Sequence, residues 1–168
     1  MFVTHNIEEA YRICQNLMIL SYGKVEACAD KEEIFKRPPT LTAAQITGCK
    51  NISRIKRVSG NMFEAVDWGC RLTVDSLPDN AAYVGMRAHY IAAANENEQE
   101  NVCYCRPVMT SEAPFRVTVY LSVETPPSKA ENYNLQWEIT WEEWLHMQAT
   151  PLPWRIFINP CHLFFIRG

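Results

Sequence analysis

The chain has 168 residues, 48% of them hydrophobic and 21% charged, and a formal net charge of -3. This composition is typical of folded domains and excludes intrinsic disorder. The acidic balance argues against a general polyanion-binding surface, so we predict no nucleic-acid partner. The sequence has neither an apolar run of the ~20 residues that span a bilayer nor an amino-terminal signal pattern, which predicts a cytoplasmic protein.

The first residues predict a strand followed by a helix. Met1 to Thr4 is a short apolar run of β type, and His5 lies where that run stops. Asn6, with Glu9 three residues later, has the pattern of a helix-capping box. Apolar residues at spacings of three and four then predict a helix with one face against a sheet. A strand-helix unit of this kind normally belongs to a parallel sheet, so we expect the other strands to precede Met1.

A hairpin and a short helix are predicted next. Two β-type runs, 17–21 and 24–29, are joined through Gly23, which supplies the turn. Asp30 and Glu33 repeat the capping pattern at the start of a helix, and Pro38 lies where that helix must stop.

One more helix of one or two turns is predicted before the pattern changes. It begins at Thr40 or Thr42 and ends at Gly48. We place a domain boundary there, which divides the chain into residues 1–48 and residues 49–168.

Residues 49–168 alternate apolar and polar positions, with turn residues at close intervals. This pattern indicates a small antiparallel barrel or sandwich. A polar loop is expected at 95–101, a mobile loop at 125–134, and a short helix after Thr140, which has Glu143 three positions on. The predicted strands are 51–58, 62–67, 70–74, 84–92, 102–109, 115–123, 135–140, 154–159 and 163–166.

Three stretches of residues 1–48 resemble the ATP-binding subunits of ABC importers. They are F-V-T-H-N-x-E-E-A at 2–10, I-L-S-Y-G-K-V-E at 19–26 and E-E-I-F-K-R-P at 32–38. The resemblance implies that His5 is the switch histidine, which reaches the γ-phosphate of ATP and positions the attacking water. Judged from the local pattern alone, a histidine that merely ends a strand is the commoner interpretation.

Other motifs of that family are absent from the sequence. There is no G-x-x-x-x-G-K-[ST] phosphate loop, no signature motif and no magnesium-binding strand. The resemblance therefore implies a C-terminal portion, whose parent protein uses ATP and Mg. The 168 residues alone are expected to bind no cofactor and to hydrolyse nothing. The implied partners are a second copy of the chain and a transmembrane permease, which would hold the subunit at the inner face of the membrane.

The second part resembles the OB-like domain called TOBE that follows the ATPase domain in importer subunits. The resemblance rests on T-G-C-K-N-I-S-R at 47–54, V-G-M-R-A-H at 84–89 and I-N-P-C-H-L-F-F-I at 158–166. Ala88 departs from it, since the family has proline there. The implied fold is mainly β, an OB-like (TOBE) antiparallel barrel preceded by a small α/β remnant of an ABC ATPase domain.

The segment 47–54 is most similar to molybdate- or sulfate-type subunits, in some of which this domain binds the transported oxyanion and stops transport. The alternative is ordinary polarity at a strand edge. By resemblance, the candidate donors to an oxyanion are Lys50, Asn51 and Ser53, and the candidate charge partners are Arg54 and Arg87.

Two functions stay open. The chain is either the C-terminal regulatory part of an oxyanion-importer ATPase, or a stand-alone oxyanion-sensing or dimerisation module. No metal site is predicted, because Cys103 and Cys105 do not have the spacing to Cys161 and His162 that zinc ligands show. The seven cysteines are expected to be reduced and mostly buried in cores.

Overall fold

The computed structural model describes residues 2–123 and 133–168. It is mainly β, with 45% strand and 21% helix, and its curled antiparallel sheet confirms the predicted OB-like fold class. Residues 125–132 of the predicted mobile loop lie outside the described residues. Within the described ranges, no helix has the length and apolar character needed to cross a membrane.

The first helix, α1, covers Ile7–Ile13. Asn6 caps it as predicted, because its side chain accepts a hydrogen bond from the N–H of Glu9 at 3.1 Å. The strand predicted before it is wrong, since residues 2–4 form no strand. Thr4 instead completes the cap: its hydroxyl donates to the Glu9 carboxylate at 2.9 Å and accepts from the N–H of Asn6 at 3.0 Å. This local bonding decides the conformation, because no described strand pairs with residues 2–4.

The predicted hairpin is present, with β1 at Asn16–Ser21 and β2 at Lys24–Asp30. Tyr22 and Gly23 between them have φ values of 48° and 74°. Two successive positive φ values define a type I′ turn, whose twist matches that of the strands it joins.

Two short helices cover the inner face of this hairpin, α2 at Lys31–Lys36 and α3 at Leu41–Ile46. Asp30 and Thr40 cap them, as predicted. Asp30 accepts from the N–H of Glu32, and its predicted reciprocal box with Glu33 does not form. The small core between hairpin and helices consists of Ile19, Ala27, Ile34 and Ala43.

Helix α1 packs against α2 and not against a sheet. The rings of Tyr11 and Phe35 meet edge to face, with centroids 4.8 Å apart. None of the residues of α1 is buried. The prediction that its apolar face lies on a sheet is therefore wrong within the described residues.

The larger part of the chain forms two five-stranded antiparallel sheets around one core, which includes Phe63, Trp68, Leu121 and Trp137. Their strand orders are β12-β6-β3-β4-β5 and β10-β9-β8-β11-β7. The strands are β3 Asn51–Ser59, β4 Met62–Ala65, β5 Cys70–Thr73, β6 Ala81–Met86, β7 Ala92–Ala93, β8 Val102–Glu112, β9 Arg116–Val123, β10 Leu135–Thr140, β11 Trp154–Phe157 and β12 Phe164–Arg167.

The predicted strand 84–92 is wrong beyond Met86. The chain leaves the sheet at Arg87, forms a short 3-10 helix at Ala88–Tyr90, and continues as β7. The N–H of Tyr90 donates to the carbonyl of Arg87 at 3.0 Å and so closes this turn. The turn contacts β10 and forms one wall of the groove described below.

Near the carboxyl end, one prediction is confirmed and one is corrected. Helix α4 covers Trp141–Gln148, and Thr140 and Glu143 form the predicted capping box. The predicted strand 154–159 ends early, because Asn159 caps a 3-10 helix at Pro160–His162 by accepting from the N–H of Cys161.

Candidate functional site

A groove of about 1090 Å³ lies between the amino-terminal helices and the two large sheets. Tyr11 of α1 and Phe35 of α2 line one wall. Tyr90 of the 3-10 helix and Tyr120 of β9 line the other. The volume is slightly above the usual range for pockets that bind small organic molecules.

Arg87 joins the two walls of this groove. Its guanidinium donates to the carbonyl of Phe35 from Nε at 3.2 Å and from Nη2 at 2.6 Å. It also donates to the carbonyl of Thr47 at 2.5 Å and to the Thr47 hydroxyl at 2.9 Å. Burial lowers the pKa of Arg87. Because these acceptors are neutral, they satisfy the N–H groups without neutralising the positive charge.

Helices α1 and α2 are joined at the groove by a hydrogen bond from the hydroxyl of Tyr11 to the carboxylate of Glu32. This bond is the main cause that lowers the pKa of Glu32 and raises the pKa of Tyr11. Lys36 lies 3.4 Å from the same carboxylate. Lys31 donates to the backbone carbonyl of Tyr11 at 2.8 Å, which fixes α1 against α2.

Two of the three carboxylates in the groove form ion pairs. Glu32 pairs with Lys36, and Glu138 of β10 pairs with Arg116 at 3.3 Å. Glu8 is the third. The groove also contains five cationic side chains, so cations outnumber carboxylates there although the whole chain is acidic. This balance favours an anionic ligand.

The wall formed by the sheets carries a stack of aromatic and histidine rings. The Tyr90 and His162 rings lie parallel, with centroids 4.1 Å apart and planes at 3°. The His89 ring also contacts Tyr90, with centroids 4.3 Å apart and planes tilted at 56°. Partial desolvation is the main cause that lowers the pKa of His89, against the opposing effect of Glu138.

The sequence-predicted residue His5 does not line this groove. It is exposed, between the Thr4 cap and α1. Its role as a switch histidine stays a prediction, since that role requires a nucleotide site that other residues would supply.

The five residues predicted to bind an oxyanion are not brought together in one place. Lys50 and Arg87 line the groove. Asn51 is buried between the sheets, where its amide nitrogen donates to the carbonyl of Gln136 at 2.8 Å and its oxygen accepts from the N–H of Gln136 at 2.7 Å. Both ends of this side chain are therefore engaged within the protein.

Ser53 and Arg54 also have internal partners. The Ser53 hydroxyl accepts from the N–H of Asp67 at 2.8 Å and donates to the carbonyl of Arg54 at 3.0 Å. The Arg54 guanidinium lies 2.7 Å from the Asp67 carboxylate, and this pairing raises the pKa of Arg54. Neither residue lines the groove.

Sequence reasoning missed Tyr11, Phe35, His89, Tyr90 and His162 as groove residues. Their spacings contain no motif, because the groove is formed by segments far apart in the chain. The only available signal was the dense cluster of cationic and aromatic residue types at 31–37 and 87–90.

The cysteines weighed as zinc ligands lie in different environments. Cys103 and Cys105 are buried in the main core, as predicted, whereas Cys161 is exposed. The Cys70 thiol is hydrogen-bonded to the side chain of Cys103. This bond and burial together raise the pKa of Cys70. In the described residues, no three His, Cys, Asp or Glu side chains are grouped as metal ligands.

Comparison with known proteins shows partial similarity to import ATP-binding proteins. The sulfate/thiosulfate import ATP-binding protein CysA 2 of Chromobacterium violaceum is 32% identical over 83 residues, which are 49% of this chain and 22% of that protein. The corresponding protein of Vibrio vulnificus is 30% identical over 67 residues, 40% of this chain and 19% of that protein.

The similarity is not limited to sulfate import. The spermidine/putrescine import ATP-binding protein PotA of Nitratidesulfovibrio vulgaris is 35% identical over 52 residues, 31% of this chain and 14% of that protein. The chain thus spans about a fifth or less of the length of these relatives. No protein-family model matches it.

Proposed function

We propose that this chain is the C-terminal regulatory part of the ATP-hydrolysing subunit of an ABC importer. One observation carries the proposal: several import ATP-binding proteins, named for different solutes, match parts of the chain. Residues 1–48 then complete the nucleotide-binding domain, and residues 49–168 form the TOBE-like regulatory domain. In this proposal the parent subunit uses ATP and Mg, and it is a cytoplasmic protein held at the membrane by a permease.

The outer face of the hairpin β1–β2 has exposed apolar side chains that suit contact with a neighbouring polypeptide. Met18, Leu20 and Val25 are 57%, 58% and 58% exposed. They share one face, because Leu20 pairs with Val25 and Met18 pairs with Cys28. Adjacent exposed apolar side chains of this kind mark an interaction surface. The remainder of a nucleotide-binding domain is the partner that the proposal assigns to it.

A chimera tests the proposal directly. This chain would replace the matched segment of the Chromobacterium violaceum protein, and ATP hydrolysis would be measured. We expect hydrolysis in the chimera and a loss of about a hundredfold or more in His5→Ala, because His5 would position the attacking water. His146→Ala, an exposed histidine of α4, is the matched control. A chimera that binds ATP and hydrolyses it equally well with and without His5 would contradict this role.

We further propose an oxyanion such as sulfate or molybdate as the transported solute. The sulfate/thiosulfate names of two relatives support this choice, while the polyamine relative supplies the competing solute. Thermal unfolding with sulfate, molybdate or spermidine tests whether the regulatory part senses its solute. A ligand at 100 times its dissociation constant stabilises a protein by about 2.7 kcal/mol. Stabilisation by spermidine alone would contradict the oxyanion assignment.

Dimerisation is a second candidate role, favoured by the far end of the β8–β9 hairpin. Beyond Cys105, β8 pairs with β9 alone among the described strands. Val108, Met109 and Phe115 are exposed there, at 48%, 53% and 85%. An unpaired edge with apolar side chains is a template for a second copy. Sedimentation velocity would show a dimer that Met109→Lys weakens and Thr110→Lys, on the same strand, does not.

A further inference from the structure

The groove has a feature that the proposed function does not use, namely three cationic side chains without an ionic partner. They are Arg12, Arg37 and Lys50, and none of them forms an ion pair with another described residue. They come from three different elements: the last turn of α1, the C-cap of α2 and the segment after α3. Three separate elements therefore present positive charge to one cavity.

The segments that carry these three cations are joined by contacts of neighbouring residues. Tyr11, adjacent to Arg12, contacts the ring of Phe35, which lies two residues before Arg37. Arg87 joins the carbonyl of Phe35 to Thr47, which lies three residues before Lys50. All three cations thus line the groove within three residues of this network of contacts.

Arg87 adds a fourth positive charge at the base of this network. It is partly buried, and its observed acceptors are neutral oxygens. Burying a charge without a counter-charge is costly. An anion bound in the groove would reduce this cost and would also neutralise the charges of Arg12, Arg37 and Lys50.

The size of the groove and its rings indicate more than an inorganic anion. A single tetrahedral anion would leave most of about 1090 Å³ unfilled. The Tyr90–His162 stack lines the same groove, and His162 is exposed. A flat organic ring can extend such a stack.

We propose that this groove binds a phosphorylated organic molecule of about mononucleotide size. Its phosphate is held by Arg12, Arg37 and Lys50, and its ring lies against the exposed face of His162. The site lies between the amino-terminal helices α1 and α2 and the two large sheets, and binding there does not require that the chain belong to an importer.

Isothermal titration calorimetry of the 168-residue chain at low salt tests the site, with AMP, ribose 5-phosphate, adenosine and inorganic phosphate as probes. AMP is expected to bind saturably, at least about tenfold more tightly than each of the other three, because only AMP supplies both phosphate and ring. The affinity is expected to fall as salt rises. No saturable AMP binding, or equal affinity for AMP and inorganic phosphate, would overturn the proposal.

Matched substitutions locate the binding. Lys50→Ala and Arg37→Ala are each expected to weaken AMP binding by about tenfold, since charge-assisted hydrogen bonds are lost. Their controls are Lys56→Ala and Arg71→Ala, which remove the same charges from exposed positions outside the groove. Equal affinities in the groove variants and their controls would show that the groove is not the site.

The ring contact has its own variant. His162→Ala is expected to reduce the affinity for AMP while leaving that for ribose 5-phosphate unchanged, with His146→Ala as the control. Because these side chains are exposed, circular dichroism of each variant should match that of the original chain. An equal loss for both probes would contradict stacking on His162.

Discussion

Arg87 donates a hydrogen bond from Nη2 to the carbonyl oxygen of Phe35 at 2.6 Å. Its Cζ also lies 5.6 Å from the centroid of the Phe35 ring, within the range of a cation–π contact. Phe35 belongs to α2 and Arg87 to the chain just after β6. One guanidinium therefore ties the helical segment to the sheets through both a backbone group and an aromatic ring.

We predict that Arg87→Lys lowers the free energy of unfolding by about 2 kcal/mol, because an ammonium cannot reproduce the planar set of donors to Phe35 and Thr47. Urea unfolding measures the loss. Limited proteolysis should show faster cleavage near Gly48, where the helical segment meets the sheets. Arg71→Lys, exposed on β5, is the control. Unchanged stability and cleavage would mean that Arg87 does not hold the two parts together.

A second prediction concerns Asn51, which stood among the oxyanion candidates. Its side chain satisfies both backbone groups of Gln136 and is only 2% exposed. Asn51→Ala should therefore lower the free energy of unfolding by about 1 to 3 kcal/mol, since it leaves the N–H and the carbonyl of the half-buried Gln136 without this partner. The exposed Asn16→Ala is the control for chemical denaturation. A loss no larger than that of the control would show that this bridge between sheets adds little.

The elements predicted correctly are those whose signals are local. Gly23 identified the hairpin turn because two positive φ values are needed there. Thr140 and Glu143 identified α4 because both halves of the capping box lie within four residues. Such patterns involve only sequence neighbours, so they can be read without knowledge of the tertiary structure.

The groove could not be predicted in the same way. Arg87 and Phe35 are 52 positions apart, and no periodicity links them. The strand predicted across Arg87 was wrong for the same reason, because the contacts of Arg87 with Thr47 and Phe35 override a local β pattern. Asn51 was predicted as an anion donor because it is polar and lies in the segment 47–54. Its actual partner is the backbone of Gln136 on β10, 85 positions away.

Gly85 provides a third prediction, on packing. A Cβ at this position would lie 2.2 Å from Cζ of Phe164, its partner on β12. Because the ring of Phe164 is only 4% exposed, it has little room to move. Gly85→Ala should lower the free energy of unfolding by about 2 kcal/mol or more.

A double-mutant cycle separates this clash from any general intolerance of the position. Phe164→Leu removes the ring, so Gly85→Ala should cost less in that background than in the original chain. Equal costs in the two backgrounds would show that Phe164 is not the source of the strain. Thermal or urea unfolding of the four proteins gives the coupling energy.

The last prediction is a pH dependence at the groove wall. Desolvation lowers the pKa of His89 from its ordinary value of 6.5; Arg116, Arg87 and His162 lower it further, and Glu138 opposes them. Below pH 6.5 the unfolded chain then binds a proton that the folded chain takes up less readily. The contribution of neutral His89 to folding stability is fully present above pH 6.5 and is lost as the pH falls from there through the lowered pKa. His89→Gln should therefore flatten the decline of the melting temperature between pH 7 and pH 5, whereas His146→Gln should not. An unchanged decline in His89→Gln would mean that other groups determine the acid sensitivity of the fold.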